Sequence, residues 1–489
     1  MGKVAKQSIQ TSLFSYIGVV VGYINVLWLY PYAFDPNELG IFRTIQDLGL
    51  LFVPFAQLGL GHGITRFFPR LEKNQSAFLS YSLLISLLGF LFVAIIFFGF
   101  RSQIVNLFAV NSPQIIDFLG VVLLITLFAL LNSILDAYSR SYLKVAVPTF
   151  FREVFLRLLT GLLVATYLLD WIDFNQVMMG LAVVYFLALF GVIVYLVWLG
   201  VLKFDFSWKS FPEGFRSSFL KFSLITFLGT AASTLIMKID SIMVTSMISL
   251  EANAIYTIAF SMALVIELPR RAISQVVMPV IAEHFNKKEH KEIDTLYKQV
   301  ANRQFYVCLL LFALLVNNLN SIYFFIPNRE VYEAGRNVVL LIGFGKLIDA
   351  VFSSNSEILV FSKYYKFNLV LTVLMSILII LFNYLLIPIY GIEGAAVASV
   401  AVILLFNLVK FIFLKVKLNF SPFTDETFRI LVVGFFSVSS YDFLDLHPVL
   451  EILINSVLVI LRFAFFSMLL EVGKTEWEWL KNKIKLSGS

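Results

Sequence analysis

The feature that most constrains this chain is a succession of apolar stretches, each long enough to cross a lipid bilayer and separated by short polar segments. A spanning helix needs about 20 mainly apolar residues. Hydrophobic residues make up 60% of the chain and charged residues 14%, so we expect lipid to be the solvent of most of its surface. We predict an all-α integral membrane protein with fourteen spans, near residues 11–33, 42–65, 77–100, 115–139, 150–169, 176–200, 217–247, 252–281, 299–325, 335–361, 367–388, 392–414, 427–444 and 449–470.

The distribution of basic residues supports this division of the chain. With the N-terminus in the cytoplasm, the cytoplasmic segments and helix ends hold 28 Lys and Arg residues, and the opposite side holds four, namely Arg43, Arg101, Arg329 and Arg336. Cytoplasmic loops of membrane proteins carry such an excess of Lys and Arg. The net charge of +6 therefore needs no nucleic-acid partner, and both ends of the chain are predicted to be cytoplasmic.

Two hairpins show a weak internal repeat. Residues 35–42 and residues 249–256 each open a long, proline-interrupted helix, and six predicted helices separate them. An even number of intervening spans gives both copies the same orientation, which is typical of a parallel repeat with a substrate site between its halves. We predict six-helix bundles at 1–200 and 201–416, two extra helices at 417–470, and a cytoplasmic amphipathic tail at 471–489.

Several other kinds of site are not expected. The single cysteine, Cys308, forms no internal disulfide, and the four histidines are scattered along the chain, so neither a metal site nor a cofactor is predicted. Residues 473–475 read Gly-Lys-Thr, but position 468 is Met468 where a phosphate-binding loop needs glycine. The first apolar stretch is too long for a cleavable signal peptide.

Charged residues inside the predicted spans are the candidate functional groups, because a charge at the bilayer centre costs about 2.5–3.5 kcal/mol on insertion scales. Cations suit an anionic ligand, and acidic residues suit coupling to H⁺ or Na⁺. The candidates for substrate binding are Lys238, Arg270, Arg271, Lys346 and the helix 1 residue Asn25. The candidates for ion coupling are Asp136, Asp240, Glu267, Asp349 and Glu357.

Helical spacing leaves two interpretations of these charges open. Lys346, Asp349, Ser353 and Glu357 form one stripe on predicted helix 10, as expected for one wall of a water-accessible cavity. Alternatively, opposite charges three or four residues apart neutralise each other within one helix. The pairs with this spacing are Asp136–Arg140, Glu267–Arg271 and Lys346–Asp349. Lys238 has no acidic residue three or four positions away, and it is therefore expected to be a surplus cation.

One turn and one hairpin resemble a known family. Residues 386–399 read LIPIYGIEGAAVAS, which is similar to the turn between helices 11 and 12 of polysaccharide transporters. Residues 36–42, PNELGIF, are similar to their first periplasmic hairpin. Together with fourteen predicted spans, these motifs resemble the Wzx-type O-antigen and capsule flippases of the multidrug/oligosaccharidyl-lipid/polysaccharide (MOP) exporter superfamily.

The resemblance implies a function and leaves rivals. It implies two six-helix bundles that work by alternating access in the bacterial cytoplasmic membrane. The implied cargo is an undecaprenyl-pyrophosphate-linked oligosaccharide, moved to the periplasmic leaflet by a monomer. Rivals within the superfamily are a lipid II flippase and a drug or cation antiporter, although antiporters favour acidic cavities. A polytopic polymerase or ligase would need a sizeable external loop, and no predicted external loop reaches about 20 residues.

Overall fold

The computed structural model describes residues 3–71, 74–208, 211–438 and 447–473, and no strand occurs among them. The first six helices follow the predicted spans closely. They are α1 (Lys3–Ile24, continued by Asn25–Leu29 and Tyr30–Ala33), α2 (Pro36–Gln57 and Leu60–Phe67), α3 (Gln75–Gly99), α4 (Leu119–Ser141), α5 (Ala146–Thr149, Phe150–Phe155 and Leu156–Leu168) and α6 (Phe174–Trp198).

The second half of the chain continues in the same way. Its helices are α7 (Phe215–Met247), α8 (Leu250–Ala263, Leu264–Glu267 and Leu268–Lys287), α9 (His290–Asn317), α10 (Arg336–Phe352 and Asn355–Phe361), α11 and α12 (365–390 and 392–418), α13 (Asp425–Ser437) and α14 (Pro448–Leu469). Short helices at Arg101–Phe108, Leu319–Phe324 and Arg329–Tyr332 lie between them.

The all-α membrane fold is confirmed. Ten helices of the described chain are long and apolar enough to cross a membrane, or eleven if the bent pair Arg329–Phe352 and Asn355–Phe361 is one span. Fourteen spans with both ends in the cytoplasm stay a prediction. Part of predicted span 427–444 falls after residue 438, and most of the predicted tail falls after residue 473, outside the described residues.

Gly391 produces the turn that the 386–399 motif predicts. Its backbone has φ 60° and ψ −136°, and it is the one non-helical residue within 365–418. A side chain would be strained in this conformation, which glycine adopts freely. Pro388, three residues earlier, is incompatible with an uninterrupted helix because it lacks an N–H donor. The sequence therefore ends α11 and starts α12 at this position.

Packing divides the chain into two compact units. Unit 1 comprises Met1–Ile258 and Thr372–Ile392, and unit 2 comprises Ala259–Leu371 and Glu393–Ser489. Within unit 1, α2 packs on α3, α4 and α7. This grouping does not test the predicted repeat, whose boundaries at 200 and 416 stay predictions.

The two hairpins of the predicted repeat meet inside unit 1. The Asp35 carboxylate accepts from the Glu38 amide at 2.9 Å, and the Ser249 hydroxyl accepts from the Ala252 amide at 3.0 Å. Each side chain thus satisfies an orphan amide in the first turn of its helix. A Cβ on Gly40 would lie 2.1 Å from the Leu250 carbonyl oxygen, so glycine permits this close backbone contact.

Candidate functional site

Unit 1 encloses a polar cavity of about 560 Å³, lined by residues of α1, α2, α4, α5, α6 and α7. Its charged groups are five cations and three carboxylates, so the lining carries a surplus of two positive charges at neutral pH. The cations are Arg43, Arg140, Arg152, Arg157 and Lys238, and the carboxylates are Asp47, Asp136 and Glu153. Such a lining favours an anionic ligand.

The cation on α7 is paired with a carboxylate on α2. The Lys238 ammonium lies 2.5 Å from an Asp47 carboxylate oxygen; the Lys238 side chain is 26% exposed and that of Asp47 is 8% exposed. Lys238 is therefore not the surplus cation that its own helix suggests. The sequence reasoning missed this pair because it compared charges within single helices.

Arg43 is the cavity cation without a partner. It lies on α2, one turn before Asp47, and it makes no hydrogen bond or ion pair with the described residues. Its Nε atom is buried and unsatisfied. A guanidinium presents five donors in a rigid fork that matches phosphate oxygens, so Arg43 offers an unused anion-binding group to the cavity.

A second ion-pair network joins α4 to α5. Asp136 lies 2.6 Å from Arg152 and 3.5 Å from Arg140, and Glu153 lies 3.0 Å from Arg157. The predicted local pair Asp136–Arg140 therefore forms, but the shorter contact of Asp136 crosses to the next helix. All three arginines lie near the predicted cytoplasmic ends of their spans, 115–139 and 150–169.

Two π-helical turns shape one wall of the cavity. Asn25–Leu29 interrupts α1 and Phe150–Phe155 interrupts α5; such turns frequently occur at functional sites. The Asn25 side-chain amide donates to the Arg157 carbonyl oxygen at 2.8 Å. A Cβ on Gly161 would come within 2.9 Å of the Asn25 amide oxygen, so this glycine makes room for Asn25.

Unit 2 holds the other predicted cations in a separate cluster. Glu267 pairs with Arg271 at 2.8 Å and with Lys346 at 2.7 Å, while Arg270 pairs with Asp349 at 3.1 Å. Glu267–Arg271 therefore forms as the helical spacing suggests. The predicted local pair Lys346–Asp349 is wrong, because each partner finds a closer opposite charge on α8.

Helix α10 is not the continuous stripe that was predicted. It ends at Phe352, Ser353 has φ 51° and ψ −125°, and Asn355–Phe361 follows at a bend of 48°. Glu357 therefore lies on a separate short helix from Lys346 and Asp349. Its Oε2 atom is buried and has no hydrogen-bond partner among the described residues.

Asp240 lies in a hydrogen-bonded group of its own within unit 1. Its carboxylate accepts from the Tyr256 hydroxyl at 2.9 Å and from the Asn383 amide at 2.6 Å. These partners come from α8 and α11. Two polar donors therefore satisfy this buried carboxylate from two other helices.

The structure thus brings together some of the predicted residues. Asn25, Asp136 and Lys238 line one cavity in unit 1. Arg270, Arg271, Lys346, Glu267 and Asp349 form the unit 2 cluster. A chamber shared by both sets stays a prediction. Sequence reasoning missed Arg43, Arg152 and Arg157 as cavity residues, although the polar run of Arg43, Gln46 and Asp47 inside a predicted span was a signal for α2.

Comparison with known structures defines the class. The lipid II flippase MurJ in an inward closed conformation matches with a TM-score of 0.72 and 16% identity, over 95% of this chain and 98% of that chain. An inward-facing multidrug resistance MATE family transporter of the MOP superfamily matches with a TM-score of 0.62 and 14% identity, over 83% and 94% of the two chains. The fold is therefore that of MOP superfamily transporters. A search of curated proteins finds no match.

Family profiles then place the chain within that class. The profile of the family described as "Polysaccharide biosynthesis protein" matches residues 4–285, and the MatE profile matches residues 226–385. The first match covers more than half of the chain, and the chain belongs to this polysaccharide biosynthesis protein family. The structural neighbours are a flippase and a transporter, and this chain shares their multi-pass, all-α fold.

Proposed function

We propose that this chain flips an undecaprenyl-pyrophosphate-linked oligosaccharide from the cytoplasmic to the periplasmic leaflet of a bacterial cytoplasmic membrane, as a monomer and by alternating access. The observation that carries the proposal is the surplus of two positive charges in the unit 1 cavity, with Arg43 unpaired. The family membership supports a polysaccharide precursor as cargo. An isoprenoid tail would stay in the bilayer while the cavity holds the polar head.

The ion pairs of the cavity suit a binding site that must also release its ligand. Lys238 and Arg152 are paired with Asp47 and Asp136, so an arriving pyrophosphate competes with carboxylates for them. Arg43 has no direct ion pair to break among the described residues, although the Asp47 carboxylate lies one helical turn away. We propose Arg43 as the first anion contact and Lys238 as a second, with Asn25 positioned beside them to contact sugar or phosphate.

The unit 2 cations are a further part of this proposal. Arg270, Arg271 and Lys346 stand opposite Glu267 and Asp349, so they need to exchange partners before they contact an anion. We propose that they attract the head at a different stage of transport from Arg43.

Lipid II flipping is the second candidate function. The fold match to the lipid II flippase MurJ extends over 95% of this chain, and a pyrophosphate head would suit the same cavity. A drug or cation antiporter is less well supported, because a cavity with surplus cations repels cationic drugs. Rescue of cells depleted of their lipid II flippase would favour lipid II, and rescue of surface glycan alone would favour the oligosaccharide.

Coupling to an H⁺ or Na⁺ gradient is proposed for the buried carboxylates. Asp240 is 5% exposed and accepts from two neutral donors, Tyr256 and Asn383, and it is the first choice. Glu357, with a buried unsatisfied oxygen, is the second. Asp136, Glu267 and Asp349 are already ion-paired and are proposed as secondary candidates.

Surface glycan in cells that lack their own flippase tests the cargo. Single neutralising substitutions of Arg43, Lys238, Arg270, Arg271 and Lys346 should each lower glycan display at an unchanged protein level. Arg101→Gln is the matched control, since Arg101 is exposed and does not line the cavity. Full display by all five variants would refute the cationic-site proposal.

Proteoliposomes with imposed gradients test the coupling. Transport by the unaltered protein should rise with a pH or Na⁺ gradient, and Asp240→Asn should lose that response while it keeps the gradient-independent rate. Flipping that never responds to either gradient would reject ion coupling and leave the cargo proposal intact.

A further inference from the structure

Unit 1 contains a second cavity, of about 430 Å³, whose lining is almost wholly apolar. It is bounded by leucines of α3, α4 and α6 and by the segment 201–208 that follows α6, and the Ser80 hydroxyl is its one polar side chain. All three helices belong to candidate membrane spans. The walls offer an occupant no hydrogen-bond partner beyond Ser80, so a hydrocarbon chain fits their chemistry.

Helix α4 separates this apolar groove from the charged cavity. Asn132, Ser133 and Asp136 face the charged cavity, whereas Leu131 and Leu135 line the groove. Residues on opposite sides of a helix cannot touch the same ligand head. The polar head of a cargo in the charged cavity therefore does not contact the groove, and the groove is a site separate from the one that would bind that head.

The segment 201–208 closes one end of the groove. The Asp205 backbone amide donates to the Ser80 hydroxyl at 3.0 Å, which ties the segment to α3. Phe204 and Phe206 line the groove although they are 63% and 71% exposed. Trp208 then packs against Tyr81 at 5.9 Å between ring centroids. Aromatic residues of this kind are enriched at the level of lipid headgroups.

Basic residues surround this end of the groove, which is predicted to be cytoplasmic. Lys203 is exposed between two lining residues of the segment. Arg66 and Arg216 lie over the rings of Phe222 and Phe211, which belong to the neighbouring aromatic cluster. The segments 66–70 and 203–221 carry five cations, Arg66, Arg70, Lys203, Arg216 and Lys221, against the acids Asp205 and Glu213 among their described residues.

From this placement we propose that the groove between α3, α4, α6 and the segment 201–208 is a binding site for an anionic glycerophospholipid that is not transported. One acyl chain fills the groove, and Lys203 lies beside the phosphate group. Clusters of basic residues next to a span attract anionic lipids. The site is independent of the proposed cargo, because it requires neither a pyrophosphate nor the charged cavity.

Native mass spectrometry of the full chain, delipidated in detergent and then given phosphatidylglycerol or phosphatidylcholine, tests the proposal. We expect at least a tenfold greater retention of one phosphatidylglycerol molecule than of phosphatidylcholine. Leu84→Trp fills the groove and should abolish this retention, and Lys203→Gln should remove the preference for the anionic lipid. Leu88→Trp is the matched control, since Leu88 is one turn further along α3, 55% exposed, and does not line the groove.

Three results would overturn the proposal. Equal retention of both lipids would mean that the protein holds bulk bilayer lipid only. Unchanged retention by Leu84→Trp, with Leu88→Trp behaving the same way, would place the lipid elsewhere. Displacement of phosphatidylglycerol by undecaprenyl phosphate would make the groove a tail site for the cargo. Flipping activity enters none of these readouts, so a failure here is distinct from a failure of the proposed function.

Discussion

The pair between Lys238 and Asp47 allows the electrostatics of the cavity to be tested quantitatively. Lys238→Met keeps the side-chain volume and removes the ammonium, which leaves an Asp47 carboxylate that is only 8% exposed. Removing one partner of a buried ion pair typically costs about 3–5 kcal/mol. Lys238 is 26% exposed and Arg43 is one helical turn from Asp47, so we expect partial compensation and a loss of about 2–3 kcal/mol.

The double variant Asp47→Asn with Lys238→Met separates charge from packing. It removes both charges, and replacing a whole buried pair is often neutral, so its free energy of unfolding should lie within about 1 kcal/mol of the unaltered protein. Unfolding titrations in mixed micelles measure both variants. If Lys238→Met alone were as stable as the double variant, the Asp47 carboxylate would not depend on Lys238, and the pair would not organise the cavity.

Two further predictions concern packing. Gly40→Ala should destabilise the protein by about 1–3 kcal/mol, because the new Cβ would lie 2.1 Å from the Leu250 carbonyl oxygen. Gly99→Ala is the control, since a Cβ on Gly99 would have no atom within 4 Å. Equal unfolding midpoints for the two variants would contradict the close contact. Lys410 is 1% exposed, and its contacts are a hydrogen bond to Ser356 and the Phe406 ring, whose centroid lies 3.3 Å away. Since no carboxylate pairs with it among the described residues, Lys410→Met should leave stability equal or higher. A large loss of stability would show that this ammonium has a partner that the fold needs.

Hydropathy alone predicted most of the helices, because lipid enforces long apolar segments with internally satisfied backbones. The turn at Gly391 was also predictable, since proline and glycine act through their own backbone geometry. The break at Ser353 was not. Serine has no such local signature, although Ser353 has a φ of 51° and is fully buried.

The site was predicted less well than the fold, for a physical reason. An ion pair between residues three or four positions apart on one helix can be predicted from the sequence, and Glu267–Arg271 is an example. Lys238–Asp47 joins residues 191 positions apart, and no periodicity within one helix can indicate such a partner. The surplus of positive charge was therefore expected at Lys238, whereas the structure places the unpaired cation at Arg43.

The position of a cation along a predicted span also failed to indicate whether its charge lies in a cavity. Arg152 and Arg157 lie at the start of α5, near the predicted cytoplasmic end of that span, yet both line the cavity. Lys410 also lies near the predicted cytoplasmic end of its span, and it is only 1% exposed. Long side chains reach several ångströms along the helix, so the sequence position of a cation does not fix where its charge lies.

The most direct test of the central claim is binding and flipping of a fluorescent undecaprenyl-pyrophosphate-linked oligosaccharide in proteoliposomes, compared between Arg43→Gln and Arg101→Gln. A hydrogen bond to a charged group contributes about 1.5–3 kcal/mol, which corresponds to roughly a 10- to 150-fold effect. We predict a loss of at least tenfold in affinity and flipping rate for Arg43→Gln and no change for Arg101→Gln. Equal affinity and rate in the two variants would contradict the claim that the unit 1 cavity binds the anionic head of the cargo.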